Sequence, residues 1–129
     1  MVRSRDFVEW FEQYTFGKRR ESILEKARDS NILVDLAKFD NDETVGYCLS
    51  TIVEKPTGSI GEIDSIYVEE KFRNRKIGRE LMKRALAWFD ERKVKYRRLI
   101  IAAGNEEVLD FYMQFDFLPR ALVLEQKRW

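Results

Sequence analysis

The sequence predicts one mixed α/β domain, in which an antiparallel run of strands precedes two helices that alternate with two further strands. Three observations support this class. Strand-like segments joined by short turns fill the middle of the chain, apolar residues at helical spacing follow residue 76, and "RRLIIAAG" is continuously apolar after its two arginines. A length of 129 residues suits a single domain with one core.

The first half of the chain predicts two helices and then a three-stranded meander. Four aromatic residues recur at helical spacing in residues 4–14, and "GKRRESILEKARDS" continues with a second helical pattern. The segments "NILVDLAKF", "ETVGYCLSTIVE" and "IGEIDSIYV" predict strands, joined by turns at "DND" and "KPTGS". An antiparallel meander is the expected arrangement of three such strands.

In the second half of the chain, the spacing of apolar residues changes from that of strands to that of a helix. An apolar stripe from Ile77 to Phe89 predicts a long amphipathic helix. The run "RRLIIAAG" predicts a strand that is buried on both faces. Asn105 is expected to cap a helix over "NEEVLDFYMQF", and "ALVLEQK" predicts a last strand.

Composition excludes several classes of protein. The chain is 44% hydrophobic and 36% charged, and no apolar run approaches the roughly 20 residues that span a bilayer. The N-terminus carries no pattern of a secretory signal, so we expect a cytoplasmic protein. The absence of histidine excludes a Ser-His-Asp or Cys-His nucleophile, and we expect no metal. The one cysteine, Cys48, lies in an apolar strand pattern and is expected in the core.

Charge is balanced overall but locally uneven. The formal net charge is +1, yet residues 71–84 hold seven basic side chains and a single acid, Glu80. Residues 62–70 hold four acids and no base. A cationic patch in a nearly neutral protein points to a local anionic ligand.

The stretch "RNRKIG" stands directly before the long helix. A helix N-terminus offers N–H groups and a partial positive charge to phosphates, and Gly78 allows close backbone approach. The pattern "GxxxxGK[ST]" is absent, so the stretch is not a Walker loop. From these residues alone, an anion-binding loop and a solvated basic helix start remain equally open.

The surrounding motifs decide between the two. "IYVEEKFRNRKIGREL" places a strand ending in valine, a basic loop with one glycine and a helix in succession. Asn105, Tyr112 and Phe117 follow at a matching spacing in "NEEVLDFYMQFDF". Over residues 59–118 the chain resembles the GNAT superfamily of acetyl-CoA-dependent N-acetyltransferases. It departs from the family pattern at Lys76 and Asp116, where glycine is usual; a positive φ at Lys76 would cost about 1 kcal/mol or more.

The resemblance implies a GNAT fold, in which two adjacent strands splay and acetyl-CoA, as co-substrate, lies between them. The pantetheine arm would bond to backbone groups of Ile66, Tyr67 and Val68, and Asn105 would face the coenzyme. The pyrophosphate would meet the loop and the first turn of the helix. The implied loop residues are Arg73, Asn74, Arg75, Lys76, Ile77, Gly78 and Arg79.

The resemblance also implies the chemistry, which is direct attack of a primary amine on the acetyl thioester. Tyr112 matches the family's general acid, although its helical spacing alone predicts a core residue. Glu62 is the candidate base, because it matches the glutamate that the histone-acetylating branch of the family places six residues before the valine. Asp64 is the second candidate, because it would share a face with Glu62 in a regular strand, and a bulge would change which side chains face the site. Ile100 occupies the position of the glutamate that other branches of the family use.

Other interpretations remain open at this stage. Lys76 and Ile100 would also suit a GNAT-fold domain that binds acyl-CoA without turnover. A nucleic-acid-binding module is the less favoured alternative: residues 71–98 hold twelve basic side chains, but no interleaved aromatic platform. The acceptor, a small molecule or a protein amine, is undetermined. The strand usual at the family's N-terminus is not evident, and an unpaired sheet edge would favour a homodimer.

Overall fold

A computed structural model describes residues 31–40, 43–101 and 104–127. The two N-terminal helices predicted from the sequence, and most of the "DND" turn, lie outside these ranges. Within these ranges, four strands form one mixed sheet in sequential order. The strands are β1 (Ile32–Phe39), β2 (Glu43–Lys55), β3 (Gly58–Val68) and β4 (Tyr96–Leu99). Strands β1, β2 and β3 pair antiparallel, which confirms the predicted meander.

Two β-bulges interrupt the meander. The register of β1 and β2 shifts between Ala37 and Lys38, and that of β2 and β3 shifts between Leu49 and Ser50. In the second bulge, Ile63 lies opposite Ser50 and Ser65 lies opposite Leu49, so Asp64 is the extra residue. β3 is therefore not a regular strand at Asp64, and the bulge that the sequence analysis named as the exception lies at the second candidate base.

The parallel pair of strands is short. β3 pairs with β4 from Ile60↔Tyr96 to Ile63↔Leu99, and the ladder ends there. β3 nevertheless continues to Val68, still paired on its other side with β2. The two strands thus share a ladder at one end only, which is the arrangement expected of a splayed pair.

In the part of the chain that the structure describes, one helix covers a face of the sheet. Helix α1 (Ile77–Glu91) buries Leu81, Met82, Ala85 and Phe89, whose spacing places them on a single stripe. These side chains belong to the same hydrophobic cluster as residues of β2 and β3. The close approach needs a glycine in β3: a Cβ on Gly61 would lie 2.8 Å from the Phe89 ring.

The helix expected after Asn105 is present but shorter than the sequence pattern suggests. A 3-10 turn (Glu106–Val108) leads into α2 (Leu109–Met113). The i→i+3 bonds from Phe115 N–H to the Tyr112 carbonyl and from Asp116 N–H to the Met113 carbonyl then tighten and end it. Asn105 stands at the N-cap position, but its side chain makes no capping hydrogen bond.

The strand predicted at "RRLIIAAG" is present in part as β4, but its predicted burial and the strand predicted at "ALVLEQK" were wrong. "RRLIIAAG" is not buried on both faces: in β4 exposed and half-buried residues alternate, and Ile100 is 71% exposed. Arginines at 97 and 98 keep this strand in contact with water, and β4 is the last strand of the sheet as described. The segment "ALVLEQK" forms no strand. An apolar, β-prone sequence still requires a neighbouring strand to pair with, and this segment pairs with no strand among the described residues. No helix among the described residues is long and apolar enough to cross a membrane.

Candidate active site

The end of β3 brings the predicted pantetheine residues to the point where the ladder with β4 has stopped. Ile66, Tyr67 and Val68 are all buried and follow the bulge at Asp64. Their side chains alternate, so that Ile66 and Val68 join the core under α1 while Tyr67 lies opposite Tyr47 in β2. The backbone of this segment is therefore held firmly by packing on the side of β2.

The basic loop connects β3 to α1 through two left-handed residues. A 3-10 turn (Glu70–Phe72) follows β3, and α1 begins at Ile77. Between them Asn74 has φ 64° and Lys76 has φ 65°. Lys76 is the N-cap of α1 and adopts the αL conformation, so the position where the family has glycine does require positive φ. Asp116, at the second position where the family usually has glycine, also has a positive φ, of 67°.

The N-terminal turn of α1 completes the loop. Lys76 carbonyl accepts the N–H of Glu80, which starts the helical ladder. The N–H groups of the preceding residues, Ile77, Gly78 and Arg79, belong to the first turn and have no carbonyl to bond within the helix. Together with the helix dipole, they form the part of the predicted site that suits a phosphate group.

Three of the loop arginines already have partners inside the protein. Arg73 Nε donates to the Val68 carbonyl at 2.8 Å, and its Nη2 is buried with no hydrogen-bond partner among the described residues. The Arg75 guanidinium lies 5.3 Å from the centroid of the Phe72 ring. Arg79 Nη1 donates to Gln114 Oε1 at 3.2 Å and stacks over Phe115. These contacts shape the loop and restrict the direction in which each charge can point.

Lys76 differs from these arginines. Its side chain is exposed, and it makes no ion pair with any residue that the structure describes. It borders an open groove of about 480 Å³ between β1 and the start of α1, whose other cationic lining residues are Lys38, Arg75 and Arg84. Arg84 is neutralised there by Asp35 at 2.9 Å. Lys76 is thus the loop cation best placed to move toward an anionic ligand.

Tyr112 lies on α2 and is 3% exposed. It belongs to the same buried cluster as Ile66, Val68 and Phe72, and its ring meets Phe111 edge-on at 5.2 Å between centroids. Its backbone carbonyl accepts the N–H groups of both Phe115 and Phe117. The hydrogen bond from Arg79 to Gln114 ties this helix to the start of α1. Asn105, half-buried, precedes the same helical segment.

The two candidate bases occupy different surroundings. Glu62 is opposite Arg98 in the parallel ladder, and Arg98 Nε lies 3.3 Å from Glu62 Oε2. Asp64 is exposed at the bulge. Ile100, at the position where other branches of the family have a glutamate, follows β4 and is largely exposed. As an isoleucine it cannot act as a base.

Cys48 lies in the core, as expected. It is 1% exposed, and its Sγ lies 3.6 Å from Ser50 Oγ. Burial raises the pKa of the Cys48 thiol to about 11, and a hydrogen bond with Ser50 offsets only part of that effect. A thiol that stays protonated and enclosed is a packing group and not a nucleophile.

Three features of this region were not found from the sequence. They are the bond from Arg73 to the Val68 carbonyl, the link from Arg79 to Gln114, and the ion pair of Arg98 with Glu62. The first joins residues five apart, but the others join distant segments whose register no local pattern fixes. Only the parallel register of β3 and β4 could have suggested the last of them.

Comparison with known proteins identifies the family. The model of the acetyltransferase (GNAT) family matches residues 2–117. The chain therefore belongs to the GNAT acetyltransferase family. The splayed strands, the loop and the N-terminus of α1 are the parts of that fold described above.

Solved structures of the same fold are distant in sequence. An aminoglycoside acetyltransferase from an uncultured soil metagenomic sample is 17% identical with a TM-score of 0.73, over 95% of this chain and 84% of that one. A putative acetyl transferase from Pyrococcus furiosus is 22% identical with a TM-score of 0.70, over 97% and 96%. A Trypanosoma brucei acetyltransferase is 18% identical with a TM-score of 0.71, over 83% and 76%. At these identities the likeness concerns the fold.

Proposed function

We propose that this chain is an N-acetyltransferase that moves an acetyl group from acetyl-CoA to a primary amine. The observation that carries the proposal is the position of the ladder end. β3 and β4 stop pairing at Ile63↔Leu99, and β3 then runs directly into a loop with two left-handed residues and the N-terminus of α1. A long thin ligand with a pyrophosphate group fits that sequence of features.

Acetyl-CoA would bind in two parts. Its pantetheine arm would extend along β3 past Ile66 and Val68, where amide groups can bond to backbone. Its pyrophosphate would rest on the first-turn N–H groups of α1, with Lys76 as the adjacent mobile charge. Arg73 would hold the junction of the two parts, because it fixes the Val68 carbonyl.

The reaction forms the C–N bond and breaks the C–S bond. Two protons leave the alkylammonium nitrogen, one before attack and one from the tetrahedral intermediate, and one proton is delivered to sulfur, so that one proton is released to solvent overall. The amine nitrogen attacks the acetyl carbonyl carbon, and the oxyanion that develops is stabilised by a strand N–H near Val68. The C–S bond then breaks, and the departing thiolate takes a proton from the Tyr112 hydroxyl. An alkylammonium has a pKa of about 10.4 in water, so a base must accept its proton before or during attack.

Glu62 is the proposed base, with Asp64 as the second candidate. The ion pair with Arg98 holds the Glu62 carboxylate beside the ladder end, whereas Asp64 projects from the bulge into solvent. The matched variants Glu62→Gln and Asp64→Asn each remove one carboxylate with little change of shape. We expect Glu62→Gln to lower turnover at pH 7 and to regain part of it at higher pH, where more of the amine is neutral. The same behaviour of Asp64→Asn alone would assign the base to Asp64.

A non-catalytic acyl-CoA-binding domain is the second candidate function. It is favoured by Lys76 in the place of a loop glycine and by the lack of an acid at Ile100. A nucleic-acid-binding role has less support, because several cations of residues 71–98 bond to groups within the protein. Those side chains are Arg73, Arg79, Arg84, Arg97 and Arg98.

Calorimetric titration with acetyl-CoA, followed by a thiol-release assay over a panel of amines, separates these functions. Binding with amine-dependent thiol release supports the acetyltransferase, and binding without release supports the non-catalytic domain. No binding of acetyl-CoA, with salt-sensitive binding of oligonucleotides, would refute both.

Tyr112→Phe gives the sharper test of mechanism. The variant keeps the buried ring and removes only the hydroxyl, so we expect turnover to fall by a factor of about 100 or more while the Kd for acetyl-CoA stays within about twofold. Tyr96→Phe removes a hydroxyl from an exposed tyrosine of β4 and serves as the control. Unchanged turnover in Tyr112→Phe would remove Tyr112 from the reaction.

A further inference from the structure

The bulge at Asp64 brings Ser65 onto the same face of the sheet as Glu62. Glu62 lies opposite Thr51 in β2, and Ser65 lies opposite Leu49. Directly opposed residues share a face, and so do residues two apart in a strand, so these side chains lie on one side of the sheet. In a strand without a bulge, residues 62 and 65 would lie on opposite sides. The bulge therefore adds a hydroxyl to the face that carries the proposed base.

That face is the one turned away from α1. A Cβ on Gly61 would lie 2.8 Å from the Phe89 ring of α1, so Glu62, the next residue of β3, faces the other way. Tyr112 belongs to the buried cluster under α1. The proposed acid and the proposed base thus lie on opposite faces, and an amine that gives its proton to Glu62 must approach from the side of Ser65.

Ser65 is held in a defined orientation beside the end of the ladder. It is half-buried, two residues beyond Ile63 and directly before Ile66, the first of the predicted pantetheine residues. Its Oγ is 2.9 Å from the hydroxyl of Tyr47, which is 3% exposed and packs 6.0 Å from the Tyr67 ring. The phenol is the more acidic hydroxyl, so Tyr47 donates and one lone pair of Ser65 accepts. The second lone pair has no donor among the described residues and can accept a hydrogen bond from a ligand.

An attacking primary amine needs two hydrogen-bond acceptors. Its nitrogen directs the lone pair at the acetyl carbon, and its two N–H groups point away from that carbon. One of these protons leaves after attack, and the other stays on the amide nitrogen of the product. We propose that Ser65 positions the acceptor amine: Ser65 Oγ accepts the N–H that stays, while Glu62 takes the proton that leaves. Ser65 forms no covalent bond, and Tyr47 acts only through Ser65. This role of Ser65 rests on the proposed function.

Thiol release with n-butylamine gives the first test, since this probe carries the reacting group on a short alkyl chain. Ser65→Ala should raise the KM for n-butylamine about fivefold and leave kcat and the Kd for acetyl-CoA within about twofold, because the lost hydrogen bond is present before and during attack. Ser65→Thr keeps the hydroxyl and should restore most of the affinity for the amine. Ser59→Ala removes a hydroxyl from the other end of β3 and is the control. An unchanged KM in Ser65→Ala, or equal losses in Ser65→Ala and Ser65→Thr, would overturn the proposal.

Tyr47→Phe tests the link between the two hydroxyls. By itself it should raise the KM for n-butylamine about twofold, and in Ser65→Ala it should have no further effect, because no hydroxyl is left for it to orient. The same effect in both backgrounds would show that Tyr47 does not act through Ser65.

A bisubstrate probe distinguishes failure of this role from failure of the proposed function. The probe joins the sulfur of CoA through a CH₂–CO bridge to the nitrogen of n-butylamine, so it keeps one N–H and cannot transfer an acyl group. In calorimetric titration, Ser65→Ala should weaken binding of the probe about fivefold and binding of CoA by less than about twofold. This result would support the amine contact even without turnover. Equal losses for the two ligands would overturn the contact even in a chain that acetylates amines.

Discussion

Replacing Lys76 by glycine separates two effects at the position where this loop departs from its family. Lys76 has φ 65° at the N-cap of α1, so its backbone conformation is already the one that glycine favours. Because the strained conformation is present without ligand, its cost lowers the stability of the folded chain and does not lower affinity for acetyl-CoA. The charge of Lys76 acts in the opposite way. It contributes to the affinity for acetyl-CoA, because it attracts the phosphates, and contributes little to the stability of the folded chain.

The magnitudes follow from these two effects. The αL conformation costs a non-glycine residue about 1–2 kcal/mol, and glycine gives back roughly 0.5–1 kcal/mol through its freer unfolded chain. Lys76→Gly should therefore stabilise the fold by about 0.5–1 kcal/mol. Loss of one exposed charge about 4 Å from a phosphate costs about 1 kcal/mol in water, which weakens acetyl-CoA binding about fivefold.

Urea unfolding measures the first quantity and calorimetric titration with acetyl-CoA measures the second. Lys93→Gly is the matched control: Lys93 is an exposed lysine with φ 59°, but it follows the far end of α1, about 20 Å from the loop. It should gain similar stability and keep its affinity. If Lys76→Gly binds acetyl-CoA as tightly as the unaltered chain, or more tightly, the role assigned to its charge is refuted.

Three further predictions test the packing around the site. Gly46→Ala would place a Cβ 2.7 Å from the Tyr67 carbonyl oxygen, so it should shift β3, cost about 1–3 kcal/mol in urea unfolding and weaken acetyl-CoA binding; full stability would contradict the close approach of β2 and β3 at this point. The Cys48 thiol keeps its proton when folded up to about pH 11, whereas an ordinary thiol loses it near pH 9.0. Stability should therefore fall between these pH values by about 2–3 kcal/mol more in the unaltered chain than in Cys48→Ala, and equal slopes would refute the burial argument. Gln114→Ala breaks the bond to Arg79 that links α2, which carries Tyr112, to α1. It should lower turnover more than acetyl-CoA affinity, and unchanged turnover would show that packing alone holds α2.

Most of the sheet could be predicted because its signals are local. Alternating apolar residues and short turns define β1, β2 and β3, and the stripe from Ile77 to Phe89 defines α1. The errors concern features that depend on neighbours. The burial of β4 depends on what lies at its outer edge. Residues 121–127 have strand composition, but composition cannot supply a partner. The bulge at Asp64 was left open by the sequence, because the register between two strands decides it.

The candidate site could be predicted to the level of its segments but not of its contacts. The glycine position taken by Lys76 indicated that a positive φ would occur there, and Lys76 has it. Asp116, the other residue in a usual glycine position, also has a positive φ, which was not predicted. In contrast, the side-chain contacts of the loop arginines were not predicted. Arg73 is bonded to the end of β3 and Arg79 to Gln114. Such side-chain bonds depend on the packed arrangement of β3, α1 and α2, which no local sequence pattern specifies.

Amide chemical-shift mapping during titration with acetyl-CoA tests the central claim most directly. The claim places the co-substrate along the end of β3 and on the first turn of α1. We expect the largest shifts in residues 64–68 and 73–79, and these shifts should saturate as acetyl-CoA is added. Residues 92–98 should change little. Shifts concentrated in residues 92–98, or no saturable shifts at all, would contradict the claim.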